Sequence, residues 1–484
     1  MIKYLLLLPI ITALLGIVAK TQKQIETISI IGSACTLVFG LALVSEVFRY
    51  GTINTWENIL FADPFSAFLV LIVSLVGFII SVYSIDYMGH EIQNGVIDLK
   101  KLKIYYVFFH LFMFTMLLVG VTNSLILWIA IEMTTLFSVP LITIYTKKTS
   151  IEAAWKYLII CTVGITFALF GTILTYYATI QVLGEGGSEL NWASLLAIAD
   201  QFDPTLMKIA FVFILVGYGT KVGFAPMHTW LPDAHSEAPS PVSALLSGVL
   251  LNCAMYGIIR FHTITSASVG TEFTSNLLIM FGLLSLGIAT PFIIMQDDYK
   301  RLLAYSSVEH MGIIALGFGF GGVLGIFGAL FHMFNHAVTK SLMFSVAGNI
   351  LHKYETKKIY EVSGVVKSMP YTGPMLVIGG LAITGSPPFS IFLSEFTILA
   401  AGFSQGYILT SVLVLLFIIT IFVGFFNHIN RMAFSKPPEG ITVGDVSRWS
   451  LGAMLILIVL ITVTGVYIPP QFSDMIMQVV DVVR

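Results

Sequence analysis

FVFILVGYGTKVGFAPMHTWLPDAHSEAPSPVSALLSGVLLNCAMYGIIRF, residues 211–261, holds two apolar runs joined by a segment rich in Gly, Pro, His and acid. Lys221 sits inside the first run, and Pro226 follows five residues later. A lysine amid an apolar span costs about 3 kcal/mol unless a partner or water meets it. Proline removes a backbone donor, which a spanning helix tolerates where protein groups or water satisfy the freed backbone. A charge beside a broken apolar helix is the pattern of an ion pathway inside a membrane.

The rest of the chain fits that setting. Of 484 residues, 57% are hydrophobic and 10% charged, with a mean hydropathy of +0.93, far from the balance of a soluble domain. The predicted fold class is an all-α polytopic membrane protein. A net charge of -2 identifies no partner, and no nucleic acid is expected among them. Cys35, Cys161 and Cys253 fall singly in apolar spans, so neither an iron–sulfur cluster nor a structural zinc is expected. P-loop and dinucleotide-binding signatures are missing from the sequence, which argues against ATP or NAD binding by this chain. The N-terminal MIKYLLLLPIITALLGIVAK lacks a signal-peptide cleavage pattern and reads as the first spanning helix.

Apolar runs of about 20 residues predict spans at 2–19, 27–47, 62–83, 103–120, 122–145, 156–180 and 206–228. Seven more follow at 241–261, 273–295, 301–322, 325–350, 371–400, 407–428 and 450–468. Of the 24 Lys and Arg residues, 17 lie in or beside odd-numbered loops and 5 on the other side. By the positive-inside rule the odd loops are cytoplasmic and both termini external, in a prokaryotic cell membrane. The chain ends about sixteen residues after the last span, and no long C-terminal extension is expected.

Several polar groups fall where lipid should exclude them. Glu132 lies mid-span in SLILWIAIEMTTLFSVPL, and Lys221 is its expected partner; the alternative partners are Thr134 and Thr135. In FHMFNHAVTKSLMF, His332, His336 and Lys340 recur every four residues and so form one stripe on one helix face. Imidazoles titrate near neutrality, which suits a proton relay. Metal binding by the two histidines is the weaker reading, since no acid or cysteine sits at a matching offset. Gly385, Pro387 and Pro388 break the twelfth span, and Glu395 follows two turns later. Paired interruptions in spans seven and twelve point to two inverted five-helix repeats. His228, Asp233, His235 and Glu237 form either a route for incoming protons or a solvated loop. Asp297, Asp298, Lys300 and Arg301 are expected to cap the tenth helix, and Asp63 to begin the third.

The ExT span, TKVGFAPMHTWLPDAHSEAPSPVSALLSG, KRLLAYSS and FHMFNHAVTKSLMF together resemble one superfamily. It comprises the antiporter-like subunits of respiratory complex I, Mrp cation/proton antiporters and membrane-bound hydrogenases. WIAIEMTTL, EAAWKYLIICTVGI and LLSGVLLNCAMYGIIRF are most similar to the F-type component of hydrogenase-4, with the D-type Mrp component and the complex I pumping subunits next. The resemblance implies about fourteen helices with helices 7 and 12 broken. It divides the chain into helices 1–3 (1–102), a first repeat (103–261), a second repeat (262–428) and a C-terminal helix (429–484). It makes Glu132 and Lys221 the coupled ion pair, His332 and His336 part of the central hydrophilic axis and Glu395 the charge on the broken twelfth helix; Lys340 joins these ion-translocation candidates through the stripe of FHMFNHAVTKSLMF itself. Asn252 stands where many relatives carry a lysine, so the link from Lys221 to the histidine stripe is expected to use water or Ser243, Ser247 and Tyr256.

The expected function is translocation of H⁺, alone or in exchange for Na⁺, in a multisubunit redox-driven membrane complex. The chain would hold no cofactor itself. Iron–sulfur clusters, and a NiFe centre if the complex is a hydrogenase, would sit in a peripheral arm. The D-type component of an Mrp antiporter, a pumping subunit of complex I, a stand-alone solute transporter and a transport-inactive anchor are the alternatives.

Overall fold

A computed structural model of the protein describes residues 1–56, 59–184, 191–445 and 448–484. Backbone in hydrocarbon must satisfy its own hydrogen bonds, and each of the fourteen apolar runs does so as a helix or a broken helix. The first six are α1 (Ile2–Val18), α2 (Gln22–Tyr50), α3 (Pro64–Gln93), α4 (Leu99–Gly120), α5 (Ser124–Ile142) and α6 (Lys148–Leu183). Between α2 and α3 a short antiparallel hairpin pairs β1 (Ile53–Thr55) with β2 (Leu60–Ala62), Asn54 opposite Phe61. Asp63 caps α3 as expected, accepting from the Ser66 amide.

After the short α7 (Trp192–Ala197), the seventh span divides into α8 (Pro204–Val222) and α9 (Trp230–Glu237). Gly223 ends α8 in the left-handed region (φ 83°), a conformation that costs glycine little. The opened backbone is met by side chains. Trp230 Nε1 donates to the Thr220 carbonyl at 2.8 Å, and Ser285 Oγ accepts from the Ala225 amide at 3.1 Å. The eighth span runs continuously from α10 (Ser240–Leu245) through a π turn at Leu246–Leu250 into α11 (Leu251–Val269).

Next come α12 (Thr271–Ile294), α13 (Tyr299–Phe320), α14 (Gly322–Tyr354) and the single turn α15 (Val365–Ser368). Asp298 caps α13 by accepting from the Lys300 and Arg301 amides. The twelfth span divides into α16 (Thr372–Ile383) and α17 (Ser390–Ser404) around Gly385. That glycine has φ 66°, and a Cβ on it would fall 2.1 Å from Glu395 Oε2, so only glycine fits there. α18 (Ile408–Phe434) and α19 (Arg448–Val466) complete the spans.

The final helix, α20 (Pro470–Val483), was not expected from the sequence. It buries Met475, Ile476, Val479, Val480 and Val483, a 3–4 spacing that marks one apolar face, against α3 and α14. It is too short and too polar to show as a span.

Exposure sorts the helices. Ser240–Val269 and Tyr299–Phe320 are buried along almost their whole length, whereas α2, α18 and α19 turn apolar side chains such as Val38, Leu409 and Leu455 outward. His310, Glu309 and Asn252 lie in these two interior stretches.

Candidate functional site

The last turn of α8 carries Lys221, 1% exposed. A helix C-terminus favours a cation. Its ammonium donates to Thr135 Oγ1 of α5 and Tyr157 Oη of α6, both at 2.7 Å. Tyr157 Oη also lies 2.8 Å from Ser138 Oγ. Among the described residues, no ion pair joins Lys221 to Glu132. Glu132 is half-buried on the outer side of α5 and accepts from Thr162 Oγ1 at 3.0 Å, with Oε2 left unpartnered. Lys221 has taken Thr135, one turn along from Glu132, which keeps the two charges within electrostatic reach rather than in contact.

The α14 stripe is a single face, and that face meets α13. His332, His336 and Lys340 are all fully buried. His332 Nε2 lies 3.1 Å from His310 Nδ1, and the His336 and His310 rings have centroids 5.5 Å apart. Lys340 donates to the Leu303 carbonyl at 2.9 Å and to Ser306 Oγ. Beyond His332 the contact passes to α17, where Ser394 Oγ lies 2.9 Å from His332 Nδ1. Glu395, 5% exposed, follows on the same turn, under the break at Gly385.

Two of these groups escaped the sequence reading: Glu309 and His310, mid-helix in α13 and 3% and 0% exposed. Glu309 is close enough to both Lys340 and Glu395 for their charges to interact. An acid eleven residues into a 22-residue span is the signal that singled out Glu132, and it applies equally here. His310, His332 and Glu395, from three different helices, offer ligand atoms within 4.8 Å of one another. Offsets along one helix could not reveal them.

The connecting segment makes a charged vestibule at the end of the bundle that carries the basic loops. Asp233 accepts from Lys156 Nζ at 3.1 Å and from Arg301, and Glu237 accepts from Lys357 Nζ at 2.7 Å and Thr149 Oγ1 at 2.7 Å. These acids border a cavity of about 210 Å³. His235 lies deeper, fully buried, sandwiched by Trp230 and Phe344 with both ring nitrogens unpartnered. His228 is buried beside Tyr305.

Asn252 is a strut. Its Nδ2 donates to the Gly248 carbonyl in the π turn at 2.9 Å and to the Met333 carbonyl of α14 at 3.0 Å. Of the hydroxyls expected to bridge the centre, Ser247 does face it, 2.7 Å from Ser307 of α13. Ser243 instead caps the His235 carbonyl at 2.8 Å. Tyr256 belongs to a separate cluster, because Arg260 draws its hydroxyl to 2.9 Å. There Arg260 grips Asp63 with two hydrogen bonds of 2.7 and 2.5 Å. Burial opposes the charge on Asp63, yet the Arg260 guanidinium holds its carboxyl below the usual carboxylate range.

The family described as NADH:quinone oxidoreductase/Mrp antiporter, TM, matches residues 121–421, and the N-terminal part of complex I chain 5 matches residues 58–94. A hydrogenase-4 component F homolog of Methylacidiphilum infernorum (isolate V4) is 39% identical over 461 residues, covering 90% of this chain and 95% of the relative. The D-type component of the Na(+)/H(+) antiporter of Bacillus subtilis (strain 168) is 25% identical, over 85% of this chain and 82% of its own. The fold matches a chain of the membrane-bound sulfane sulfur reductase, an archaeal respiratory complex, with a TM-score of 0.87 at 25% identity, covering 99% and 97% of the two chains. A chain of the Mrp complex of Dietzia sp. DQ12-45-1b has a TM-score of 0.85 at 18% identity, over 99% and 96%, a likeness of fold.

Proposed function

The chain belongs to the NADH:quinone oxidoreductase/Mrp antiporter membrane family, and from that membership we propose that it is the proton-translocating membrane subunit of a multisubunit redox-driven complex. The observation that supports this most is the file of buried titratable groups Lys340, Glu309, His336, His310, His332 and Glu395. Buried ionisable groups inside a membrane protein are costly and mark ion paths.

In this reading 103–261 and 262–428 are two inverted repeats, each built around one broken helix. The basic loops face the cytoplasm of a prokaryotic cell and both termini face outward. Iron–sulfur clusters, and a NiFe centre where the complex is a hydrogenase, sit in partner subunits. A charge shift in a neighbouring membrane subunit acts on Glu132 at the outer side of α5. Lys221, held by Thr135 and Tyr157, gains or loses its proton in response. Water and the Ser247–Ser307 hydroxyl pair carry it to Lys340 and Glu309, past the Asn252 strut. The vestibule acids and His235 supply protons from the cytoplasm, and Glu395 hands them on at the far end.

The test is recovery of the chain from its native membrane in mild detergent, with redox-driven transport assayed in Glu132→Gln and Lys221→Ala complexes. Copurifying iron–sulfur proteins and impaired coupling support the proposal. Normal coupling in both variants sinks it. Copurification with small hydrophobic chains that lack redox centres, together with Na⁺-dependent transport, supports a D-type Mrp component instead, the reading that the 25% identity to the Bacillus protein favours.

A further inference from the structure

We propose that His310, His332 and Glu395 form a binding site for a divalent cation of the Zn²⁺ class in the bundle interior. Each comes from a different helix, α13, α14 and α17, and their ligand atoms lie within 4.8 Å of one another. The His310 Nδ1 to His332 Nε2 separation is 3.1 Å. Two imidazoles bound at about 2.0–2.1 Å to a tetrahedral ion stand roughly that far apart. Two nitrogens and one carboxylate suit zinc or cobalt, not sodium or magnesium, and three protein ligands leave the fourth position open.

The surroundings are built for ligation. Ser394 Oγ donates to the Ile391 carbonyl at 2.9 Å and so accepts from His332 Nδ1 at 2.9 Å, which leaves the lone pair of His332 Nε2 facing His310. A hydrogen bond on the far nitrogen of a metal-binding histidine is the usual support of such a ligand. His310 Nε2 is buried and unpartnered, so the ring can carry its proton there and present Nδ1 to the ion. The glycine at position 385 leaves room for the Glu395 carboxylate, where any Cβ would stand 2.1 Å from its oxygen. Lys340 opposes a second cation, and Glu309 beside it offsets that charge.

On occupation, His310 keeps its proton by moving it from Nδ1 to Nε2, and any proton on Glu395 leaves to water. The ion then ties together three groups of the proton path. This blocking effect, and access through the path's water, rest on the proposed function; the ligand set does not.

The test is a titration of the purified, chelator-treated complex with CoCl₂, read by the visible absorption of tetrahedral Co²⁺, with proton transport measured in parallel. One equivalent per chain is expected, competed by ZnCl₂ and lost in His310→Ala and Glu395→Gln. Ser394→Ala, a mild change, weakens binding about 10- to 100-fold, and His352→Ala, paired with Glu91 elsewhere, leaves it unchanged. No band in the unsubstituted complex, or a band that survives both ligand substitutions, overturns the site. A filled site with undiminished transport overturns the proton path through these residues and leaves the metal site standing.

Discussion

His310 Nδ1 and His332 Nε2 meet at 3.1 Å, so one hydrogen bond joins the middle of α13 to α14 where neither side chain has any exposure. That bond sits between the Lys340–Glu309 end of the file and the Ser394–Glu395 end. A proton crossing from one to the other has these two rings to use.

Replacing either ring with a non-titrating side chain should cut the file at its middle. His332→Gln or His310→Gln is expected to slow proton transport about 100-fold, the scale on which a positioned acid–base group acts. Assembly of the complex should be retained, because glutamine still bonds across the gap. Redox-driven pH changes in membrane vesicles measure it, and wild-type rates in both would remove these rings from the path.

Lys221 is held by hydroxyls, not by Glu132. Tyr157 keeps Ser138 as a partner when the ammonium is removed, so Lys221→Met should leave the fold within about 1 kcal/mol of the native stability. Transport should nevertheless be lost. A variant that unfolds instead would mean the lysine is structural, and parallel melting curves and transport rates separate the two outcomes.

Asn252 should behave in the opposite way. It bridges the π turn and α14 through two hydrogen bonds, so Asn252→Leu is expected to cost about 1–3 kcal/mol. Transport per assembled complex should persist, since the proposed proton path runs beside it. Loss of transport at unchanged thermal stability would assign Asn252 to the path.

The Asp63–Arg260 pair should act on stability alone. Its carboxyl is held below the unfolded value of about 3.9, so its contribution is complete above about pH 4. It disappears as the pH falls through the lower, folded value. Asp63→Asn leaves a buried guanidinium uncompensated and should cost about 3–5 kcal/mol. The deficit relative to wild type should shrink in acid. Thermal unfolding in detergent from pH 7 downward follows both, and a pH-independent deficit would contradict the assignment.

The sequence made the spans legible because hydrocarbon thickness sets their length and proline and glycine mark their breaks. The stripe on α14 was legible because an i, i+4 repeat is a property of one helix. What remained hidden involved choices between helices. Lys221 could be seen to need a partner, but Thr135 and Tyr157 are found only once α5, α6 and α8 pack. The trio of His310, His332 and Glu395 spans 85 positions and has no local signature. Helix α20 escaped because a short amphipathic segment beside a bundle leaves no long apolar run.

In the proposed mechanism protons cross through the buried groups between α13, α14 and α17, and Glu309 is the least anticipated of them. The most direct measurement is the number of protons translocated per electron in the intact complex carrying Glu309→Gln, a substitution that keeps the shape and removes the titration. The protons contributed by this subunit should vanish while the complex still assembles. An unchanged ratio at normal turnover would contradict the mechanism.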